Sequence, residues 1–199
     1  ADNIKTTYSS TGAGLWVSGF GGESGFNSSI ISGYATGTDK PAIMTVDQSG
    51  CSQGYVSEAG KIKAYGSNLS PNPFNVHESP NSENANCNYT STFNGTSSAA
   101  PTVSGVVALM LEANPDLTWR DVKHILARTS DKVDASRSHT YLGVSQYEWK
   151  TNEAGYEFHP WYGFGKIDAA EAVTEAASTT ANNLGSWITT GYLDSGTID

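Results

Sequence analysis

Basic residues are scarce in this chain: 11 Lys+Arg stand against 20 Asp+Glu in 199 residues, a formal charge of −9. Phosphate neutralisation needs a basic patch, so the composition argues against nucleic acid as a partner. Cysteine is almost absent. Cys51 and Cys87 are the whole supply, and they form neither a CxxC pair nor a Cys/His metal pattern. No apolar run approaches the roughly 20 residues of a membrane-spanning helix. Ala1 opens onto a polar stretch with no signal-peptide pattern, the expected start of a mature piece or of a fragment. Repeats, heptads and phosphate loops are also missing, and Gly12, Gly14, Gly19, Gly21 and Gly22 lack the spacing of a dinucleotide fingerprint. What is present, 37% hydrophobic residues, 11% aromatics and 21 Gly, describes a loop-rich globular body long enough for one core.

The two cysteines bracket a stretch, about 51–93, rich in Asn, Ser, Gly and Pro. A disulfide there would replace a missing core, and closing about 37 residues stabilises by roughly 4 kcal/mol in the chain-entropy model. Such a bond implies an oxidising, secreted or extracytoplasmic setting; two unrelated thiols are the alternative.

Four zones follow from pattern. Residues 1–50 carry short β-type runs at Leu15–Val17, Ile30–Ile31 and Ala42–Val46. The cysteine-bracketed loop comes next. Residues 94–178 hold the helical signals, and 179–199 read as a linker. From Ser97 to Ala113 the chain is apolar nearly all round, a pattern of interior helices, with Asn114-Pro115 expected to end it in a left-handed cap. Thr118 with Asp121 predicts a capping box, followed by Val122, Ile125 and Leu126 at helical spacing. Asp168 should cap a third helix running to about Ala177.

The sharpest feature is Asn94-Gly95-Thr96-Ser97-Ser98-Ala99-Ala100-Pro101, directly before the first helix. A serine at a helix N-terminus sits where unpaired backbone N–H groups converge, a favourable place for developing negative charge. Gly95 permits the tight entry, small Ala99 and Ala100 admit another chain, and Pro101 is expected in the first turn, where a missing N–H is tolerated. An ordinary capping serine would read the same in isolation.

The longer string resembles the nucleophile motif of subtilisin-like serine proteases, Gly-Thr-Ser-x-Ala-x-Pro. Tyr8-Ser9-Ser10-Thr11-Gly12 with Leu15–Val17 and Gly21-Gly22 resembles the strand that precedes it. Leu111–Val122 and Tyr162–Ala169 are similar to the kexin-like, or proprotein convertase, branch. The resemblance implies an α/β chain, part of a three-layer fold with a mostly parallel sheet and helices on both faces, occupying residues 1–178. It implies Ser97 as nucleophile, its N–H as an oxyanion donor, and Gly95 and Thr96 beside the hole. It further implies calcium, with no metal ligands identifiable here, a β-rich P-domain beyond the 179–199 linker, and protein or peptide substrates cut after basic or paired basic residues.

Chain order in subtilisins is Asp, His, Ser. Before Ser97 stand only Asp2, Asp39, Asp47 and His77, none in the family's context, and no oxyanion Asn motif precedes it; His124, His139 and His159 follow. The chain is therefore expected to be the C-terminal portion of a catalytic domain, inactive alone, with an upstream half supplying the base. A helix cut from its sheet should also expose apolar surface at Val103–Leu111. The stretch from Glu23 to Asn94 is longer than in subtilisins, which implies an insertion near the active-site rim that narrows access or docks a chaperone or inhibitor. Two other readings stand beside this. A Ser/Lys amidase needs a lysine in context, which Lys5, Lys40, Lys61 and Lys63 do not offer; a non-catalytic protease-like or adhesive module fits the missing base.

Overall fold

The computed structural model describes residues 3–23, 42–56 and 82–186. The expected Ile30–Ile31 run, and Asp2, Asp39, Lys40, Lys61, Lys63 and His77, lie outside the described residues.

Strand β1 (Ile43–Val46) pairs antiparallel with β2 (Tyr89–Phe93), bringing Ile43 opposite Phe93 and Val46 opposite Tyr89. β2 falls inside the stretch read as loop. Its Tyr-Thr-Ser-Thr-Phe sequence is rich in aromatic and β-branched residues, a strand signal masked by its polar surroundings. Cys51 and Cys87 are bonded, with Cα atoms 5.0 Å apart. Buried Asn84 then fixes the entry to β2 by donating to the Tyr89 carbonyl and accepting its amide.

Helix α1 (Thr96–Ala113) follows β2 after a two-residue turn. α2 (Trp119–Thr129) begins with the expected capping box, in which Thr118 accepts from the Asp121 amide and Asp121 accepts from the Thr118 amide and hydroxyl. α3 (Ala169–Ser178) starts at Asp168, which accepts from the Glu171 amide. All three helices meet in one core of Val106, Met110, Leu117, Val122, Ile125, Leu126, Ile167, Ala172 and Ala176, with Trp16 and Val17 against its edge. The helical periodicity of α2 and the small residues of α3 explain the close approach.

The chain's one parallel pairing among the described residues is the bridge between Ser18 and Lys166, where Ser18 N–H donates to Gly165 and Ile167 N–H to Ser18. Lys166 also pairs antiparallel with Asp131. The described named strands pair only antiparallel, as β1–β2, β3 (His139–Tyr141) with β4 (Val144–Gln146), and β5 (Lys150–Thr151) with β6 (Glu157–Phe158). The mostly parallel sheet expected from sequence is thus represented here by a single bridge.

Two local expectations, the Asn114 cap and the place of Pro101, are corrected. Asn114 is extended, at φ −150, and not left-handed; it ends α1 through its side chain, which donates to the carbonyls of Ala176 and Thr179. α1 is buried only along Ser98, Val106 and Met110, while Ala100, Gly105, Ala108, Leu109 and Leu111 are exposed. Its apolar circumference is that of an interior helix, and the exposed Ala108, Leu109 and Leu111 agree with the expectation of apolar surface left open at Val103–Leu111, since nothing among the described residues covers that face. Pro101 lies in the second turn, five positions after Thr96, so the carbonyl four residues earlier, that of Ser97, receives no helical N–H.

The segment after α3 is fastened to α2. Asp121, buried at 2% exposure, accepts from Asn182, and Arg120 donates to the carbonyls of Leu184 and Gly185. Burial by itself raises the Asp121 pKa, but hydrogen bonds from the Thr118 hydroxyl and the amides of Asn182 and Thr118, with Arg120 nearby, leave it below the ordinary carboxylate value. Thr118→Ala should cost about 1 kcal/mol as a lost cap, read as a lower urea midpoint; an unchanged midpoint would show that Asp121 alone holds the turn.

His159 is fully buried. Its Nδ1 accepts from the Trp161 amide and its Nε2 faces the Arg137 carbonyl, which makes it a neutral Nε2–H tautomer among Trp149, Trp161 and Tyr162. Burial lowers its pKa and outweighs the backbone hydrogen bonds to Arg137 and Tyr147 and the Asp134 charge, which raise it, while the Arg137 charge adds slightly to the lowering. A folded-state value below the unfolded one means the stability is complete above about pH 6.5 and is lost as pH falls below it. The thermal midpoint should therefore drop between about pH 7.5 and 5, less so in His159→Gln; equal slopes in both would contradict this.

Candidate active site

The turn Asn94–Ser98 joins β2 to α1. Gly95 has φ 104, in the region that favours glycine, and serves as the N-cap without any side-chain cap. The first-turn amides of Ser98 and Ala99 bond back to the Gly95 carbonyl. Those of Thr96 and Ser97 find no partner among the described residues. An uncapped helix start with two spare N–H groups is a ready anion site in electrostatic terms.

Ser97 is exposed, and its hydroxyl makes no hydrogen bond to a described residue. Helical spacing puts it on the same face of α1 as Ala100, Pro101, Ser104 and Ala108, the face left open. Ser98, one position on, points into the structure: it is buried at 2%, with its hydroxyl 2.8 Å from the Gly21 carbonyl and 2.7 Å from that of Gly95. Gly19, Gly21 and Gly22 run beside the turn. A Cβ at Gly19 would come within 2.6 Å of the Ala99 carbonyl and the Thr102 hydroxyl, so the glycines allow this close approach.

The described Asp47, His124, His139 and His159, none of them expected to serve Ser97, lie elsewhere. Asp47 accepts from the amides of Gln48 and Val56 and organises the turn after β1. His124 shares a hydrogen bond with the Tyr156 hydroxyl at 2.8 Å, His139 lies over Tyr147, and His159 is enclosed as described. The structure therefore brings Gly95, Thr96 and Ser97 together and pairs no described histidine or aspartate with them. Among the described residues no group of three or more His, Cys, Asp or Glu is placed to hold a metal ion. Nor is any described helix long and apolar enough to cross a membrane.

Sequence reasoning missed Tyr8, Glu23 and Ser98. Tyr8 meets Gly95 across 87 positions, and no local pattern announces such a contact. Ser98 was visible only as the variable position of the motif.

The family model described as the subtilase family matches residues 23–165. The chain belongs to the subtilase family. The matched stretch includes the glycine-led serine turn and the first helix, and the fold is the α/β fold of that family. The Aeromonas extracellular serine protease of Aeromonas sobria is 35% identical over 190 residues, covering 89% of this chain and 27% of its own length. Human proprotein convertase subtilisin/kexin type 6 is 34% identical over 168 residues, covering 84% of this chain and 16% of its own. The crystal structure of the serine protease of Aeromonas sobria is 36% identical, with a TM-score of 0.71 over 90% of this chain and 28% of that one. A complex of that protease with a chaperone gives a TM-score of 0.69 at 35% identity, covering 28% of that chain. This subtilase chain therefore spans about a quarter or less of the length of these relatives.

Proposed function

We propose that this subtilase chain is the C-terminal portion of a serine endopeptidase catalytic domain in which Ser97 is the nucleophile. One observation carries the reading. Ser97 stands on the open apolar face of α1, beside Thr96 and Ser97 amides that find no partner among the described residues. A segment that covered that face would bury Ala108, Leu109 and Leu111 and at the same time bring its own side chains to the serine. In the subtilase order, that segment supplies the Asp, the His and the oxyanion Asn.

With those groups in place, the base takes the Ser97 proton as Oγ attacks the scissile carbonyl. The Ser97 and Thr96 amides lie where the oxyanion develops, and water then hydrolyses the acyl-enzyme. The chain by itself lacks the base and is inactive in this reading.

Finer expectations belong here too. Cleavage after basic or paired basic residues is supported by the kexin-like relatives and by the −9 charge, and a peptide panel varying the residue before the cleaved bond tests it. A secreted or extracytoplasmic location is supported by the Cys51–Cys87 bond and by the extracellular relative. A chaperone partner is supported by the complex formed by the Aeromonas protease. Calcium and a downstream P-domain rest on the family alone.

Fluorophosphonate labelling is the decisive test. With the upstream segment restored, the reagent should modify Ser97 stoichiometrically and Ser97→Ala should not react. Absence of labelling in the complete protein would favour a non-catalytic module.

A further inference from the structure

Among the described residues, the Ser97 side chain makes no hydrogen bond that holds its own turn in place. The contacts that do so come from both sides of it and converge on Gly21, Gly22 and Glu23. The Gly95 amide donates to the Gly21 carbonyl at 2.9 Å and to the Tyr8 hydroxyl at 3.1 Å. The Tyr8 hydroxyl in turn donates to the Gly22 carbonyl. Its oxygen sits so near the backbone that a Cβ on Gly21 would lie 2.5 Å away. On the far side of Ser97, the Ser98 hydroxyl is shared between the carbonyls of Gly21 and Gly95.

A second tie closes the circuit. Asn94 donates to the Glu23 carbonyl at 2.9 Å. The buried Glu23 carboxylate accepts from the Thr7 amide at 2.5 Å and the Thr7 hydroxyl at 2.9 Å. Thr7 precedes Tyr8, so one side chain fixes the segment that aims the phenol.

We propose that Tyr8 and Ser98 are positioning residues for Ser97: two hydroxyls that fasten the serine turn to Gly21 and Gly22 and so hold the Ser97 hydroxyl and the Thr96 and Ser97 amides in a fixed relation. The proposal rests on Ser97 acting as nucleophile. Physically it follows from geometry, because Gly95 at φ 104 has no side chain with which to anchor itself, and a glycine turn left unpinned samples many conformations. Displacement of a reacting group by about 1 Å can cost roughly 100-fold in rate.

The test uses the complete protease, with its upstream segment, in wild-type, Tyr8→Phe, Ser98→Ala and Ser98→Thr forms. The second-order rate of fluorophosphonate labelling is measured, together with kcat and KM on a peptide amide and the thermal midpoint. In the labelling step the Ser97 oxygen bonds to phosphorus, fluoride leaves and the base takes the proton. Tyr8→Phe is expected to lower kcat and the labelling rate roughly 10- to 100-fold with KM nearly unchanged. Ser98→Ala should act in the same direction, and Ser98→Thr, which keeps the hydroxyl, should recover most of the loss. Wild-type rates in Tyr8→Phe and Ser98→Ala would overturn the proposal, as would losses that follow only the folded fraction. If the wild-type protein itself is not labelled, the nucleophile reading fails first, and that outcome is distinct because every variant is then equally silent.

Discussion

Ser97→Ala in the complete protein should lower turnover by about 10⁶-fold, the order of loss seen when subtilisin loses its serine or histidine. The expectation is steep because the rest of the site cannot substitute. Ser98 is the adjacent hydroxyl, yet it is 2% exposed and already shared between the Gly21 and Gly95 carbonyls. The Thr96 and Ser97 amides would survive the substitution, since they belong to the backbone of α1. A residual rate above that of water, from the oxyanion site and binding, is accordingly expected, of order 10³-fold or more. Fold and stability should change little, because Ser97 is exposed and its hydroxyl has no described partner. Steady-state kinetics with a thermal melt checks both halves, and a variant retaining more than a few per cent of activity would place the nucleophile elsewhere.

Replacing Cys51 and Cys87 together by Ser should destabilise the protein by roughly 4 kcal/mol in the chain-entropy model. The bond closes 36 positions of separation, and Cys87 is fully buried. Cys87 also lies between Asn84 and Tyr89, whose contacts start β2, and β2 runs straight into Asn94 and Gly95. Its loss should therefore be felt at the serine turn as well as in the melting curve. A urea midpoint lowered together with slower Ser97 labelling is the expected pair of results. A lowered midpoint with an unchanged labelling rate would mean that Tyr8, Ser98 and Asn94 hold the turn without help from β2.

Much of the local structure was legible because its causes are local. The Thr118–Asp121 capping box and the Asp168 cap each use side chains three positions apart, within the range over which a sequence pattern determines geometry. The Gly95 turn is of the same kind, since a positive φ is readable as glycine before a helix. Where reading erred, competing partners decided. Asn114 has the residue type for a left-handed cap, but the carbonyls of Ala176 and Thr179, more than 60 positions away, engage its side chain in an extended backbone. β2 was hidden because its central Thr90, Ser91 and Thr92 resemble the composition of the polar stretch before it, and only pairing with β1 selects the strand.

The sequence by itself determined the family, the serine at the head of α1, the helix caps and the cysteine pair as the natural staple. These depend on residue types at short, fixed spacings. Tertiary structure decided which face of α1 is buried, because its apolar residues surround the helix and carry no preference of their own. It also decided how the serine turn is held, since Tyr8 lies 87 positions and Ser98 77 positions from their partners in the turn or the glycine segment. Hydrogen bonds of that range exist only once the core of α1, α2 and α3 has brought the glycine segment alongside Gly95.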